Sequence, residues 1–206
     1  MQISPYQVDI LKEVINIGVG RAAGILNQML RYHIELQVPE VKILAHRELA
    51  GETGHMGRDA LAAVEMGFSG PFTGASALVF SSESASRLVS ILVDDPTTLD
   101  DLDLLRIGTL QEVGNIVLNG VMGSIANILS QPLDYSPPTF EEGRFDSLVL
   151  SRSSNPAATV LLAQTHFSIR QVLIEGDIVI IFDVGAFDVM LSYIDRMIPA
   201  QRHSGA

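Results

Sequence analysis

Cysteine and tryptophan are both absent from the 206 residues of this chain. Without thiols there can be no disulfide, zinc–thiolate centre, iron–sulfur cluster or thiol nucleophile. Aromatic residues are only 6% of the chain, so nothing points to a platform on which bases stack. Cations are scarce too: 13 Lys and Arg stand against 24 Asp and Glu, a formal net charge of −11. Such a chain repels a phosphate backbone and an anionic membrane surface, so neither nucleic acid nor membrane is an expected partner. No run approaches the roughly 18 apolar residues of a membrane span. Met1 is followed by Gln2, Ser4 and Pro5, not by a basic segment and an apolar stretch, so no signal peptide is expected. The expected location is the cytoplasm. What is present is the composition of a folded domain, 47% hydrophobic and 18% charged.

Ser4-Pro5 opens a stripe of apolar residues at Val8, Leu11, Val14, Ala22, Ile25 and Met29. Spacings of three and four predict a helix over about 5–31. Gly18, Gly20 and Gly24 interrupt it; three glycines in one helix imply a close backbone approach or a bend. Residues 33–45 read as β-like chain in which Pro39 either demotes the middle of the run or places it on an edge. Glycine-rich residues 51–59 read as a hairpin loop. Strands follow at 61–68 and 75–80, then a helix capped by Ser81-Ser82 that ends by Asp94-Asp95-Pro96. The aspartate-rich stretch 94–103 reads as a linker or an acidic helix start. A second long helix is predicted over about 101–130. Strands are expected near 145–151, 158–169 and 172–182, with a turn at Gly176-Asp177. A last helix runs through Phe187 to Met197.

The two halves share this order, and a shift of 99 positions aligns them residue by residue. Leu11 meets Leu110, Glu13 meets Glu112, Asn16 meets Asn115, Gly24 meets Gly123 and Pro39 meets Pro138. The expected fold is therefore α/β (α+β): two α-β-β-β-α halves, about 1–95 and 100–200, related by a pseudo-two-fold axis. They share one sheet within a single domain spanning 1–206, with the two long helices on one face.

The repeated element that bears chemistry is Glu-x-x-Asn with a proline 23 residues after the asparagine. Glu and Asn at i and i+3 share a helical face. A carboxylate is an acceptor that anchors a lysine or arginine. A carboxamide carries both a donor and an acceptor, so it can hold a water in a chosen orientation. One such pair on a helix is commonly just a solvated face; two in matched register are harder to ascribe to chance. Asp9 lies one turn before Glu13, whereas the matching position of the second copy is Gly108, with Thr109 beside it. Other chemistries lack support. Gly18-x-Gly20 is neither a dinucleotide fingerprint nor a P-loop, and no serine sits in a G-x-S-x-G elbow. None of the five histidines has metal-ligand spacing, and the acidic stretch lacks the EF-hand pattern.

Asp9-x-x-x-Glu13-x-x-Asn16 with Pro39, and the segment Glu13-Val14-Ile15-Asn16-Ile17-Gly18-Val19-Gly20, resemble the signature of the CheC/CheX/FliY phosphatases of bacterial and archaeal chemotaxis. The double signature and the length resemble the two-site CheC type. The family pattern opens with Asp or Ser, and Gly108 departs from it. The resemblance implies a substrate, the aspartyl phosphate of a CheY-type response regulator. It implies roles as well: Asn16 and Asn115 would orient the attacking water, while Glu13 and Glu112 would pair with the regulator's lysine. Asp9 would assist binding at the first pair. Magnesium would sit on the regulator, and this chain would bind no cofactor of its own. CheD is a further partner that the resemblance allows. The alternative is a non-catalytic adaptor, a flagellar-switch or CheD-binding module on the same fold.

Overall fold

The structure is a computed structural model that describes residues 3–30, 33–49, 60–93, 102–148, 158–169 and 172–197. Helix α1 spans Pro5–Leu30. Ser4 and Gln7 close its N-terminus reciprocally: the Gln7 amide N–H donates to Ser4 Oγ at 3.2 Å, and the Ser4 N–H donates to Gln7 Oε1 at 2.9 Å. This box satisfies two backbone donors that a helix start leaves orphaned. The same Gln7 donates through Nε2 to Asp195 at 2.8 Å, which ties α1 to the last helix. At the other end, Asn27 Nδ2 donates to the Ile34 carbonyl at 3.1 Å.

Strand β1 (Ile34–Ala45) follows, then β2 (Leu61–Ser69), β3 (Gly74–Ser81) and helix α2 (Ser82–Leu92). Ser81 caps α2 by accepting from the Ser84 N–H at 3.0 Å. Helix α3 covers Leu102–Leu129. It ends where Ser130 takes a left-handed φ of 52° and the Gln131 N–H turns back to the Ala126 carbonyl, ahead of Pro132. Then come β4 (Asp134–Tyr135), β5 (Thr139–Gly143), the short helix α4 (Phe145–Leu148), β6 (Thr159–Ile169), β7 (Val172–Phe182) and α5 (Ala186–Met197).

The strands form one antiparallel sheet in the order β1-β6-β7-β3-β2, with β4 and β5 both on the outer side of β2. This order places β3 and β7, equivalent strands of the two halves, side by side at the centre. Each half gives its first strand segments to the other: β1 pairs with β6, and β4 and β5 pair with β2. The arrangement is consistent with the internal repeat read from the sequence. Pro39 lies within edge strand β1 at a register shift between Gln37 and Glu40, as its missing N–H requires.

Helices α1 and α3 lie on one face of the sheet. Leu11, Ile15, Val19, Leu26, Val117, Val121 and Ile125 are buried there with Leu78, Phe80, Phe167 and Ile180 of the strands. The helices touch backbone to backbone: a Cβ on Gly18 would lie 2.5 Å from Val121 Cα, and one on Gly120 2.8 Å from the Gly18 carbonyl oxygen. Gly20 and Gly24 meet nothing within 4 Å, so only one of the three glycines in α1 serves close packing. A second apolar cluster, with Leu61, Val79, Val160, Leu162 and Ile181, lies on the opposite face under Leu49 and Leu148.

Two sequence expectations are corrected. Residues 145–148 form helix α4, not a strand; the rest of that expected strand, 149–151, lies outside the described residues, as does the loop expected at 51–59. Gly176-Asp177 makes no turn. β7 runs through it unbroken, with Gly176 opposite Phe80 and Thr165. A Cβ on Gly176 would lie 2.5 Å from the Phe80 ring, so the glycine makes room for an aromatic neighbour and does not bend the chain.

Candidate functional site

The α1 face turned to solvent carries Asp9, Glu13, Asn16 and Gly20, all exposed, while Leu11, Val14, Ile15 and Val19 face inward. On α3, Gly108 and Glu112 are exposed and Asn115 is half-buried, between buried Val113, Ile116 and Val117. The i, i+3 spacing therefore does what the sequence implied: each Glu/Asn pair stands together on the outside of a helix whose inner stripe is locked in the core. Rigid helices hold such groups more tightly than loops do. Along α1 from Gly18 toward Met29, the facing part of α3 runs backward from Val121 toward Leu105. The helices are thus antiparallel, and one pair lies to each side of their crossing. The two pairs are therefore separate from one another.

The two pairs differ in how their side chains are engaged. Among the described residues, neither Glu13 nor Glu112 makes an ion pair, and Asn16 makes no side-chain hydrogen bond. Asn115 differs, because Asn119 Nδ2 donates to its Oδ1 at 2.6 Å and to its backbone carbonyl at 2.9 Å. The position matching Asn119 in α1 is Gly20. Asn119 has no counterpart in the first copy, so comparing the copies does not reveal it; its signal in the sequence is the i+4 spacing from Asn115 alone. Thr109 does not replace the missing carboxylate at Gly108. Its hydroxyl donates back to the Leu105 carbonyl at 2.8 Å within its own helix. Glu112 also borders a hollow of about 340 Å³ walled by Leu26, Met29, Leu92, Leu104 and Leu105.

Asp177 lies on the sheet face opposite the two long helices, where burial, with the Glu175 charge as a second cause, pushes its carboxyl up to about 6. It belongs to neither pair. Among the described residues no three or more His, Asp or Glu side chains could hold a metal ion, and no helix is long and apolar enough to cross a membrane.

No family model matches the chain. It is 29% identical over 151 residues to "CheY-P phosphatase CheC" of Bacillus subtilis, an alignment covering 71% of each chain. It is 21% identical over 141 residues to "Flagellar motor switch phosphatase FliY" of the same organism, covering 68% of this chain and 36% of the relative. Among solved structures, Thermotoga maritima FliY shares the fold with a TM-score of 0.75 at 18% identity, over 95% of this chain and 99% of that one. The chain thus resembles CheC and FliY in sequence and shares its fold with Thermotoga maritima FliY.

Proposed function

We propose that this chain is a phosphatase that hydrolyses the aspartyl phosphate of a CheY-type response regulator in chemotaxis. The observation that carries the reading is the duplicated Glu/Asn pair, displayed outward on two rigid helices with both glutamates unpaired among the described residues. The names of CheC and FliY, both phosphatases and the first a CheY-P phosphatase, support it.

An acyl phosphate is already activated, so the chemistry needs a well-placed water more than a new nucleophile. Each asparagine, Asn16 or Asn115, enters beside the phosphorylated aspartate. Its carbonyl oxygen accepts a hydrogen bond from the water and its amide group donates to the neighbouring oxygen atoms. The water oxygen bonds to phosphorus and the bond from phosphorus to the aspartyl oxygen breaks. The electron pair leaves with the regenerated carboxylate, the water's proton passes to solvent, and inorganic phosphate departs. Glu13 or Glu112 pairs with a cationic side chain of the regulator and fixes the docking register, with Asp9 adding a second carboxylate at the first pair. Magnesium belongs to the regulator's own carboxylates.

The test is phosphate loss from a purified phosphorylated CheY-type regulator, with magnesium, with and without the full chain. Acceleration is expected, and Asn16→Ala combined with Asn115→Ala should abolish it while circular dichroism and thermal midpoint stay unchanged. Full activity in the folded double variant would refute the mechanism. No acceleration with several regulators, but stable binding to CheD or a flagellar-switch protein, would replace it with the adaptor reading.

A further inference from the structure

We infer that Asn119 is a positioning residue that fixes the carboxamide of Asn115, so that the second Glu/Asn pair is pre-set and the first is not. The inference rests on the function proposed above. Asn119 lies one turn beyond Asn115 on the same helical face. Its single amide nitrogen reaches two acceptors on one residue, the Asn115 backbone carbonyl at 2.9 Å and the Asn115 Oδ1 at 2.6 Å. An amide nitrogen has two hydrogens, and both are committed here. The backbone contact holds Asn119 in place, and the side-chain contact then holds Asn115. The Oδ1 of Asn115 keeps its second lone pair for a water, and its own NH₂ group has no partner among the described residues.

The first pair lacks this device. Position 20 is glycine, and a Cβ built there meets nothing within 4 Å. Asn16 is exposed while Asn115 is half-buried, so Asn16 keeps rotamer freedom that must be lost when it engages the phosphoryl group. Holding a catalytic side chain in place before the substrate arrives raises the chemical step without changing substrate affinity. Helix stability does not explain the contact. An asparagine bonding back to the preceding turn is neutral or slightly unfavourable to a helix interior, and Asn119 is exposed.

The experiment uses the full chain and a phosphorylated CheY-type regulator, each pair isolated in turn. In the Asn16→Ala background, where the second pair acts alone, Asn119→Ala should lower kcat about three- to tenfold, the scale of one immobilised side chain, with KM within about twofold. Asn119→Leu, of similar shape but without a donor, should do the same, and it serves if the alanine variant folds poorly. In the Asn115→Ala background there is no carboxamide to position, so the same substitution should not multiply the loss. Transplanting the device by Gly20→Asn in that background should raise kcat of the first pair. An unchanged kcat for Asn119→Ala beside Asn16→Ala, a change confined to KM, or an equal loss in both backgrounds would overturn the inference. Those results would leave the phosphatase reading standing, whereas that reading fails separately if the double Asn16→Ala, Asn115→Ala variant stays active.

Discussion

Gly18 of α1 and Val121 of α3 meet without a side chain between them: a Cβ on the glycine would fall 2.5 Å from the valine's Cα. The contact sets how closely the two helices approach, and each helix bears one Glu/Asn pair. Gly18→Ala should push backbone against backbone and destabilise the protein by about 1–3 kcal/mol. Gly24→Ala, where nothing lies within 4 Å, should stabilise by up to about 1 kcal/mol through helix propensity. Thermal or urea unfolding of the two variants checks the contrast. Equal effects would remove Gly18 as the point of closest approach.

The glutamates give a prediction of a different kind. Glu13 and Glu112 are exposed, and neither has an ion-pair partner among the described residues, so their charges are free for a docked partner. Glu13→Ala with Glu112→Ala should raise KM for the phosphorylated regulator about tenfold or more, the scale of a charge-assisted hydrogen bond. Folding stability should stay within about 0.5 kcal/mol. Steady-state kinetics and an unfolding curve decide it; an unchanged KM would remove both residues from docking.

Asp177 predicts an unusual pH dependence. Its carboxyl in the folded chain titrates near 6, above its ordinary 3.8, because it is desolvated on the inner part of β7 and faces the Glu175 charge two residues away. The folded state therefore holds a proton that the unfolded state has released between about pH 4 and pH 6. Stability contributed by this group is complete below that window, falls across it, and is flat above it. Asp177→Asn should abolish the decline and stabilise the protein above pH 6, by on the order of 3 kcal/mol. Thermal midpoints of both proteins from pH 4 to 8 check this. Parallel curves would show that Asp177 titrates normally.

Local chemistry and repetition made much of this legible. Ser4 and Ser81 cap helices as their positions before apolar stripes implied. Pro39 marks an edge strand, and the 99-residue shift carries α1 onto α3 and β2 and β3 onto β6 and β7. The strand order was not legible, because it depends on which half each outer strand joins, and no periodicity records a partner. Gly176-Asp177 resembled a turn because the reason for the glycine, the Phe80 ring, lies on another strand. Phe145–Leu148 resembled strand by its apolar residues although it folds as one helical turn. At the candidate site the residues common to both copies were readable. Asn119 was not singled out, since comparison of copies hides whatever only one of them possesses.

The exchanged outer strands set a timetable for synthesis. β1 is synthesised before its pairing strand β6, which lies more than a hundred residues later in the chain. At about 5–20 residues per second this leaves β1 without a neighbour for roughly ten seconds. During that interval an exposed strand edge is a template for other chains. Pro39 and the charges of Glu35, Glu40 and Lys42 along β1 are the residue types that disfavour edge-to-edge pairing, which suits β1 to the interval before its own second half arrives.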